Sequence, residues 1–399
     1  MSKFLPLLFV LLLIAALMRG DFALTLIYLV VGGLVAGLWW SNRGLSQVRI
    51  KRQFSKHAFL GEKIQVDLHV QNQGWLPVPW LELRETLPVA LVGPNHFQSV
   101  IHLGPRAKAN FEYSIDARKR GYYPIGPLSI STGDILGLRD TLQAENAAEH
   151  LVVYPKIVSL TSIEIPSHSP QGTLRHHLPL FEDPTRAFGK RGYTSGDSLR
   201  RIDWKASASS GKLQVKVFEP SIALETFIIL NLNAEDYYYR SRIDSTELAI
   251  VIAASISNWI VEKRQMVGML VNGRDPLTAD GQPQAVPPRK GKRHLMRLLE
   301  TLARVDVTEN ALLVPLIQRQ RYQLAWGTTL ILITGRASDE LLDELYQARR
   351  WGQNVVLVLA GRDASDDAIR RRAKTFGIQV VSVSTEGDLQ IWMQESKRI

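Results

Sequence analysis

A chain of 399 residues with 45% hydrophobic and 22% charged content can form two or three domains with cores of their own, and is not a disordered protein. It has no Cys, which excludes disulfides, thiol nucleophiles and thiolate metal sites. A net charge of +10 calls for an anionic partner, whether lipid, nucleic acid or acidic protein.

Residues 4–18 are almost wholly apolar, and residues 22–40 are apolar apart from Thr25 and Tyr28. Only Arg19, Gly20 and Asp21 separate the two runs. Backbone in lipid must satisfy its own hydrogen bonds, so two such runs joined by a tight turn predict a transmembrane helical hairpin over residues 1–44. Arg43, Arg49, Lys51, Arg52 and Lys56 follow, and the positive-inside rule then puts the soluble domains at the cytoplasmic face of the cell inner membrane. Trp39 and Trp40 suit the interfacial aromatic belt. A signal peptide with Lys3 in its n-region is the rival, opposed by the second apolar run directly behind the first.

Residues 45–158 have period two. Ile64, Val66, Leu68 and Val70 fall on one face, as do Phe111, Tyr113 and Ile115. Six or seven short strands separated by Gly/Pro turns predict an Ig-like β-sandwich. Residues 159–222 form a connector, irregular and rich in Pro, His and Ser up to about Lys190. From 223 to 399, apolar strands alternate with helical patterns: "TFIILNL", then Leu248, Ile252, Ile256, Trp259 and Ile260 at helical spacing, then "MVGMLV", "KRHLMRLLETLARV", "ALLVPLIQRQR", "TLILIT", "DELLDELYQARRW", "NVVLVLA", "SDDAIRRRAKTF" and "IQVVSV". That order predicts an open, mostly parallel α/β sheet.

Several chemistries are excluded. Lys190, Lys212 and Lys292 each follow a Gly, but Pro184, Ala206 and Val286 stand where a P-loop needs its first Gly. There is no HExxH and no Gly-x-Ser-x-Gly. His168, His176 and His177 are close in sequence, a pattern that more often faces solvent than binds metal. The basic segments "PPRKGKRHLMR" and "AIRRRAK" could meet phosphate. The second follows "RDASDD", which offsets it, and anionic membrane lipid is the simpler partner; no nucleic acid is expected.

The segments "YTSGDSLRRIDWKASA" (193–208), "RGYYPIGPLSISTGDILGL" (120–138) and "LVVYPKI" (151–157), in this domain order, resemble domain-of-unknown-function family number 58. The resemblance covers nearly the whole chain. It implies a membrane-anchored protein with a von Willebrand factor A-like domain over residues 223–399, and a MoxR-type AAA+ ATPase as partner. A von Willebrand-type domain holds a divalent metal through Asp-x-Ser-x-Ser after its first strand, but here Asn231, Asn233 and Glu235 occupy those positions, and Gly335 follows Thr334 where an acid is expected. Neutral amides are weak ligands for a hard cation, so the set Asn231, Asn233, Glu235 and Thr334 reads as degenerate, holding Mg²⁺ weakly at most. No other cofactor is expected. The family motif continues into an Arg where this chain has Ser209.

Tyr193, Gly196, Asp197, Arg200, Arg201, Asp203, Trp204 and Lys205 remain as the motif that the family implies. Three roles stay open for it: an Arg–Asp clamp with Trp204 in an interface, a docking surface for an anionic partner, or hydrolase-like acid–base catalysis by Asp197 and Asp203. Asp amid so many Arg should stay ionised, which is poor for an acid. The expectation is a membrane-anchored, non-catalytic adaptor working with the ATPase on a client complex.

Overall fold

The computed structural model describes residues 21–91, 97–132, 142–160, 182–194, 202–220, 225–278, 281, 285–309, 312–325, 327–361 and 366–389. The chain divides into two compact units, Met1–Lys156 with Leu302–Arg304, and Ile157–Thr301 with Val305–Ile399.

In the first unit α1 (Asp21–Ser46) covers the second apolar run, while the first run lies outside the described residues. Among the described residues, no helix is long and apolar enough to cross a membrane. Trp39 is exposed, but Trp40 donates its indole N–H to the carbonyl of Pro77 at 2.9 Å. The polar end of the Trp40 ring is thus held by protein, while Trp39 stays exposed.

Among the described residues ten strands follow where six or seven are expected: β1 (Val48–Phe54), β2 (His57–Phe59), β3 (Lys63–Asn72), β4 (Val78–Glu85), β5 (Gln98–Leu103), β6 (Lys108–Asp116), β7 (Gly121–Ile125), β8 (Leu128–Thr132), β9 (Leu142–Asn146) and β10 (Glu149–Tyr154). The surplus comes from short pieces such as β2, and from the stretch "YYPIGPLSIS". Gly126 there takes φ 102°, open to a residue without Cβ, and divides the stretch into β7 and β8. The strands form sheets ordered β1-β3-β6, β5-β4-β8-β9 and β2-β10-β7. Alternation along β3 buries Ile64, Val66, Leu68 and Val70. Leu68 and Val70 pack with Leu81, Leu83, Leu103 and Leu128 of the facing sheet, and Ile64 and Val66 pack with Ile125, Leu151 and Val153. This is a β-sandwich in which the sheet β1-β3-β6 serves two core regions. Arg52, counted from sequence as a flanking cation, is instead buried inside it, with its Nη2 2.6 Å from Glu85 Oε1.

The second unit opens with an antiparallel ribbon of β11 (Glu182–Gly192) and β12 (Gln214–Pro220), with the short helix α2 (Trp204–Ser210) between them. Most of β11 falls where the sequence predicts irregular chain, up to about Lys190. The α/β part comprises β13 (Glu225–Asn231), α3 (Arg242–Glu262), β14 (Met266–Asn272), β15 (Val286–Arg289), α4 (Lys292–Arg304), α5 (Leu313–Arg321), β16 (Thr329–Thr334), α6 (Asp339–Arg350), β17 (Asn354–Ala360), α7 (Asp366–Thr375) and β18 (Gln379–Val383). Sheet order is β15-β14-β13-β16-β17-β18, and only β15 runs antiparallel, on one edge. Burial on both faces explains the continuous apolar runs of β13, β16 and β17. Pro287 and Pro288 hide β15 from a propensity reading, and an edge strand is where prolines are tolerated. From β13 the chain crosses to β14 on one side, then returns to β16 on the other. Ligand crevices open at such a switch point, outside the carboxyl ends of the strands.

Candidate functional site

Three strands deliver polar residues to this switch point. Asn231 ends β13, Asn272 ends β14 in register with it, and Thr334 ends β16. All three side chains are buried. Asn231 Oδ1 accepts from the Asn233 backbone N–H at 3.0 Å and from Asn272 Nδ2 at 3.1 Å. Its Nδ2 therefore faces the other way, donating to Asp236 Oδ2 at 2.7 Å and Thr334 Oγ1 at 3.0 Å. Asn233 Nδ2 donates to the same Asp236 oxygen at 3.0 Å. The Thr334 hydroxyl in turn donates to the carbonyl of Arg336 at 2.9 Å. Beneath the network, buried Tyr237 donates to the Asn231 carbonyl at 2.5 Å; burial, then the nearby Asp236 charge, pushes its phenol pKa up. The backbone closes tightly around it. A Cβ on Gly335 would lie 2.5 Å from the Asp236 carbonyl oxygen, so this position requires Gly.

This donor set does not fit a divalent cation. A hard ion needs converging oxygens, whereas Asn231 and Asn233 both turn N–H groups to the shared centre. Flipping Asn231 would set its amino group against two donors, so its orientation is fixed. Asp236 already accepts two bonds there. Glu235, placed in the set by sequence, is exposed and lies outside the network, which corrects that assignment. Among the described residues, no group of three or more His, Asp or Glu could hold a metal ion; His168, His176 and His177 lie outside them. Asn233 Oδ1 is buried without a hydrogen-bond partner.

At the rim of the crevice Tyr239 and Ile243 are 81% and 73% exposed, and Tyr238 is exposed too. The Arg242 guanidinium lies 5.3 Å from the Tyr239 ring centre, and that of Arg336 6.0 Å from the Tyr238 ring centre. Sequence reading found Asn231, Asn233 and Thr334 but missed Asp236, Asn272 and Tyr237. The signal was present: "LN" and "VN" end two adjacent parallel strands, and Asp236 stands one residue past the expected ligand spacing.

The connector motif has a different character. Gly196, Asp197, Arg200 and Arg201 lie outside the described residues. Tyr193, half-buried, bonds through its backbone N–H to the Leu213 carbonyl. Ile202 is buried and bridges to Val215. Asp203 is the N-cap of α2, with Oδ1 accepting from the Ala206 N–H at 3.1 Å and Oδ2 3.0 Å from Lys190 Nζ. Ser207 donates to the Asp203 carbonyl and accepts from the Gln214 N–H, which stitches α2 to β12. The Ala206 N–H above all, and then Lys190, hold the Asp203 carboxyl below the usual range. A capped, ionised carboxylate is not a proton donor near neutral pH. Trp204 is 67% exposed and Lys205 is exposed, so Trp204 does not fit the buried clamp expected of it.

These contacts set an expected result. Asp203→Ala lowers the melting temperature of the full chain at neutral pH, and Trp204→Ala leaves it unchanged. A depressed pKa stabilises above the ordinary Asp range, and that contribution is lost as pH falls through the depressed value. Asp203→Asn can still cap, but loses this acid dependence. Melting curves against pH check both points, and an Asp203→Ala protein that melts like the parent would rule out the capping role.

The family model described as "Protein of unknown function DUF58" matches residues 189–320. The chain is 21% identical over 330 residues to "Uncharacterized protein YeaD" of Bacillus subtilis (strain 168), covering 79% of this chain and 76% of that protein. It is 27% identical over 128 residues to "Uncharacterized protein Rv1480" of Mycobacterium tuberculosis (strain ATCC 25618 / H37Rv), covering 32% of this chain and 38% of that one. Among solved structures, it is similar to the CARDB domain of the PF1109 protein from Pyrococcus furiosus (TM-score 0.21, 16% identity, 27% of this chain, 91% of that chain).

Proposed function

Taking the chain as a DUF58 protein through residues 189–320, we propose that it is a membrane-anchored, non-catalytic adaptor that engages its partner at the carboxyl edge of its α/β unit. The observation that carries this reading is the exposed rim of Tyr238, Tyr239 and Ile243 with Arg242 and Arg336 beside it. Tyr and Arg are enriched at the energetic centres of protein interfaces. The crevice behind the rim is closed by its own hydrogen bonds, and so suits a rigid platform better than a reaction centre. Asp203 is engaged as a cap, which weighs against the hydrolase reading with Asp197. The resemblance to family number 58 supplies the partner, a MoxR-type AAA+ ATPase that would do mechanical work on a client. The von Willebrand A-like assignment has the same source, and fits the sheet order with its antiparallel edge strand. Anchoring rests on the two apolar runs and the cations behind them.

Binding of the purified full chain to a purified MoxR-type ATPase tests the reading. Tyr239→Ala is expected to weaken the complex by about tenfold or more while leaving thermal stability unchanged. Absent binding, or an affinity indifferent to Tyr239 and Arg336 substitutions, would remove the rim from the mechanism.

A further inference from the structure

The two basic segments of the α/β unit differ in how their charge is used. In α7, Arg372 is paired with both Asp339 and Asp343 of α6. At the opposite edge of the sheet, Arg289 of β15 and Lys290, Lys292, Arg293 and Arg297 around the start of α4 are all exposed, and none has an ion pair among the described residues. No Asp or Glu occurs from residue 285 to 299.

The fold holds these cations together. β15 pairs with β14 through Val267 and Arg289, and buried His294 in the first turn of α4 donates Nε2–H to the Val267 carbonyl at 2.7 Å. Leu295, Leu298 and Leu299 are buried, so this part of α4 is apolar beneath and basic outside. Burial chiefly, and then the charges of Arg289 and Arg297, lower the His294 pKa, so both arginines act on one buried ring. Like charges at this spacing repel, and among the described residues no carboxylate forms an ion pair with them.

We propose that this face, built from Arg289, Lys290, Lys292, Arg293 and Arg297, binds the surface of a bilayer carrying anionic phospholipid. It deepens the membrane reading above, and adds a headgroup contact separate from the apolar anchor. A dense, acid-free set of long cations on a helix and an edge strand fits a plane of phosphates, to which each contributes about a fivefold gain in affinity. Two alternatives fit less well. Base stacking needs exposed aromatics, and the segment's one aromatic ring, His294, is buried. An added peptide strand needs free N–H groups along the edge, and Pro287 and Pro288 have none.

The absence of Cys makes the test direct. Pro287→Cys in the full chain carries an environment-sensitive fluorophore, and Gln347→Cys on α6 serves as the control position; both parent side chains are exposed. The labelled chains are reconstituted into phosphatidylcholine nanodiscs with or without phosphatidylglycerol. A blue shift at position 287 that requires phosphatidylglycerol is expected, with none at 347. Raising salt to about 0.5 M should abolish it, since exposed charges are then screened within a few Å. The triple variant Lys290→Gln, Lys292→Gln, Arg293→Gln should weaken binding of the full chain to phosphatidylglycerol vesicles by roughly 100-fold. Equal emission in both lipids, or a phosphatidylglycerol response that survives the triple variant, overturns the proposal. So does a triple variant that loses affinity for duplex DNA alone. Failure of the anchor reads out separately: the chain would not enter phosphatidylcholine discs, and sedimentation with added phosphatidylglycerol vesicles would still decide the face.

Discussion

Replacing Glu85 by Ala is expected to cost the β-sandwich about 3 kcal/mol, because it removes the buried partner of a buried guanidinium and leaves it only the partly exposed Glu149, 3.8 Å from Nη1. Both side chains of the Arg52–Glu85 pair are almost fully buried, with 1% and 0% of their surface exposed. Arg52 Nη1 also donates to the carbonyls of Ile125 at 3.2 Å and Ala147 at 3.4 Å, and the Tyr113 hydroxyl donates to Glu85 Oε2 at 3.2 Å. The site therefore ties together β1, β4, β6 and β7. The backbone fits closely as well: a Cβ on Gly126, already at positive φ, would lie 3.0 Å from Arg52 Nη2. Amide hydrogen exchange on β3 and β4 would show the loss, while β13 and β16 report the other unit independently. The double variant Arg52→Met, Glu85→Leu should recover most of the protection, since a packed apolar pair needs no counter-charge. If Glu85→Ala alone exchanges like the parent, water reaches the site and the pair is not buried as described. The pH dependence has a definite sign. Burial lifts the Glu85 pKa above its ordinary value, although Arg52 and Tyr113 pull it down. The folded chain thus holds this proton to higher pH than the unfolded chain. The linked stability is complete below the ordinary Glu range and lost as pH rises through the raised value. Glu85→Gln should remove that slope.

What could be read from sequence was whatever one period or one run encodes. The alternation of Ile64, Val66, Leu68 and Val70 needs only a single strand and a buried face. The continuous runs of β13, β16 and β17 announce a sheet covered on both sides, and Leu248 to Ile260 announce a helix. What could not be read depends on partners distant in the chain. Arg52 looks like any cation behind an apolar run until β4 brings Glu85 against it. Nothing in the apolar run that Trp40 ends announces that its N–H meets the Pro77 carbonyl. In the crevice, spacing located Asn231 and Asn233 but not the direction in which each amide faces. That direction is set by Asn272, more than forty residues away on β14, and it decides between ligand and donor. Asp203 shows the same limit. Its neighbouring cations suggested an ionised clamp, and its role as a cap follows only from the start of α2 at Trp204.

Asn231→Asp should convert the crevice from a closed hydrogen-bond network into a cation-dependent one. In the parent, Asn231 Nδ2 supplies the donors that Asp236 and Thr334 receive. A carboxylate in its place gives none, and sets a second negative charge beside Asp236 in a fully buried position. The expected loss is about 2–4 kcal/mol at neutral pH, from unsatisfied partners and like-charge repulsion together. Two remedies should each restore stability. Acid protonates one carboxyl and returns a donor. A divalent cation finds two carboxylates and the Thr334 hydroxyl, all oxygen, where the parent offers amides. At a concentration a hundredfold above its dissociation constant, the ion would return about 2.7 kcal/mol. Thermal melts with Mg²⁺ or Ca²⁺ and with chelator measure this directly: the variant should shift upward with metal, and the parent should not move. A parent stabilised by micromolar Mg²⁺ would mean that its amides do not hold the arrangement described. An Asn231→Asp chain as stable as the parent in chelator would mean that the Asn231 donors carry no weight. Between those outcomes lies the expected one, in which a single N–H to O exchange decides whether the platform needs an ion to stay closed.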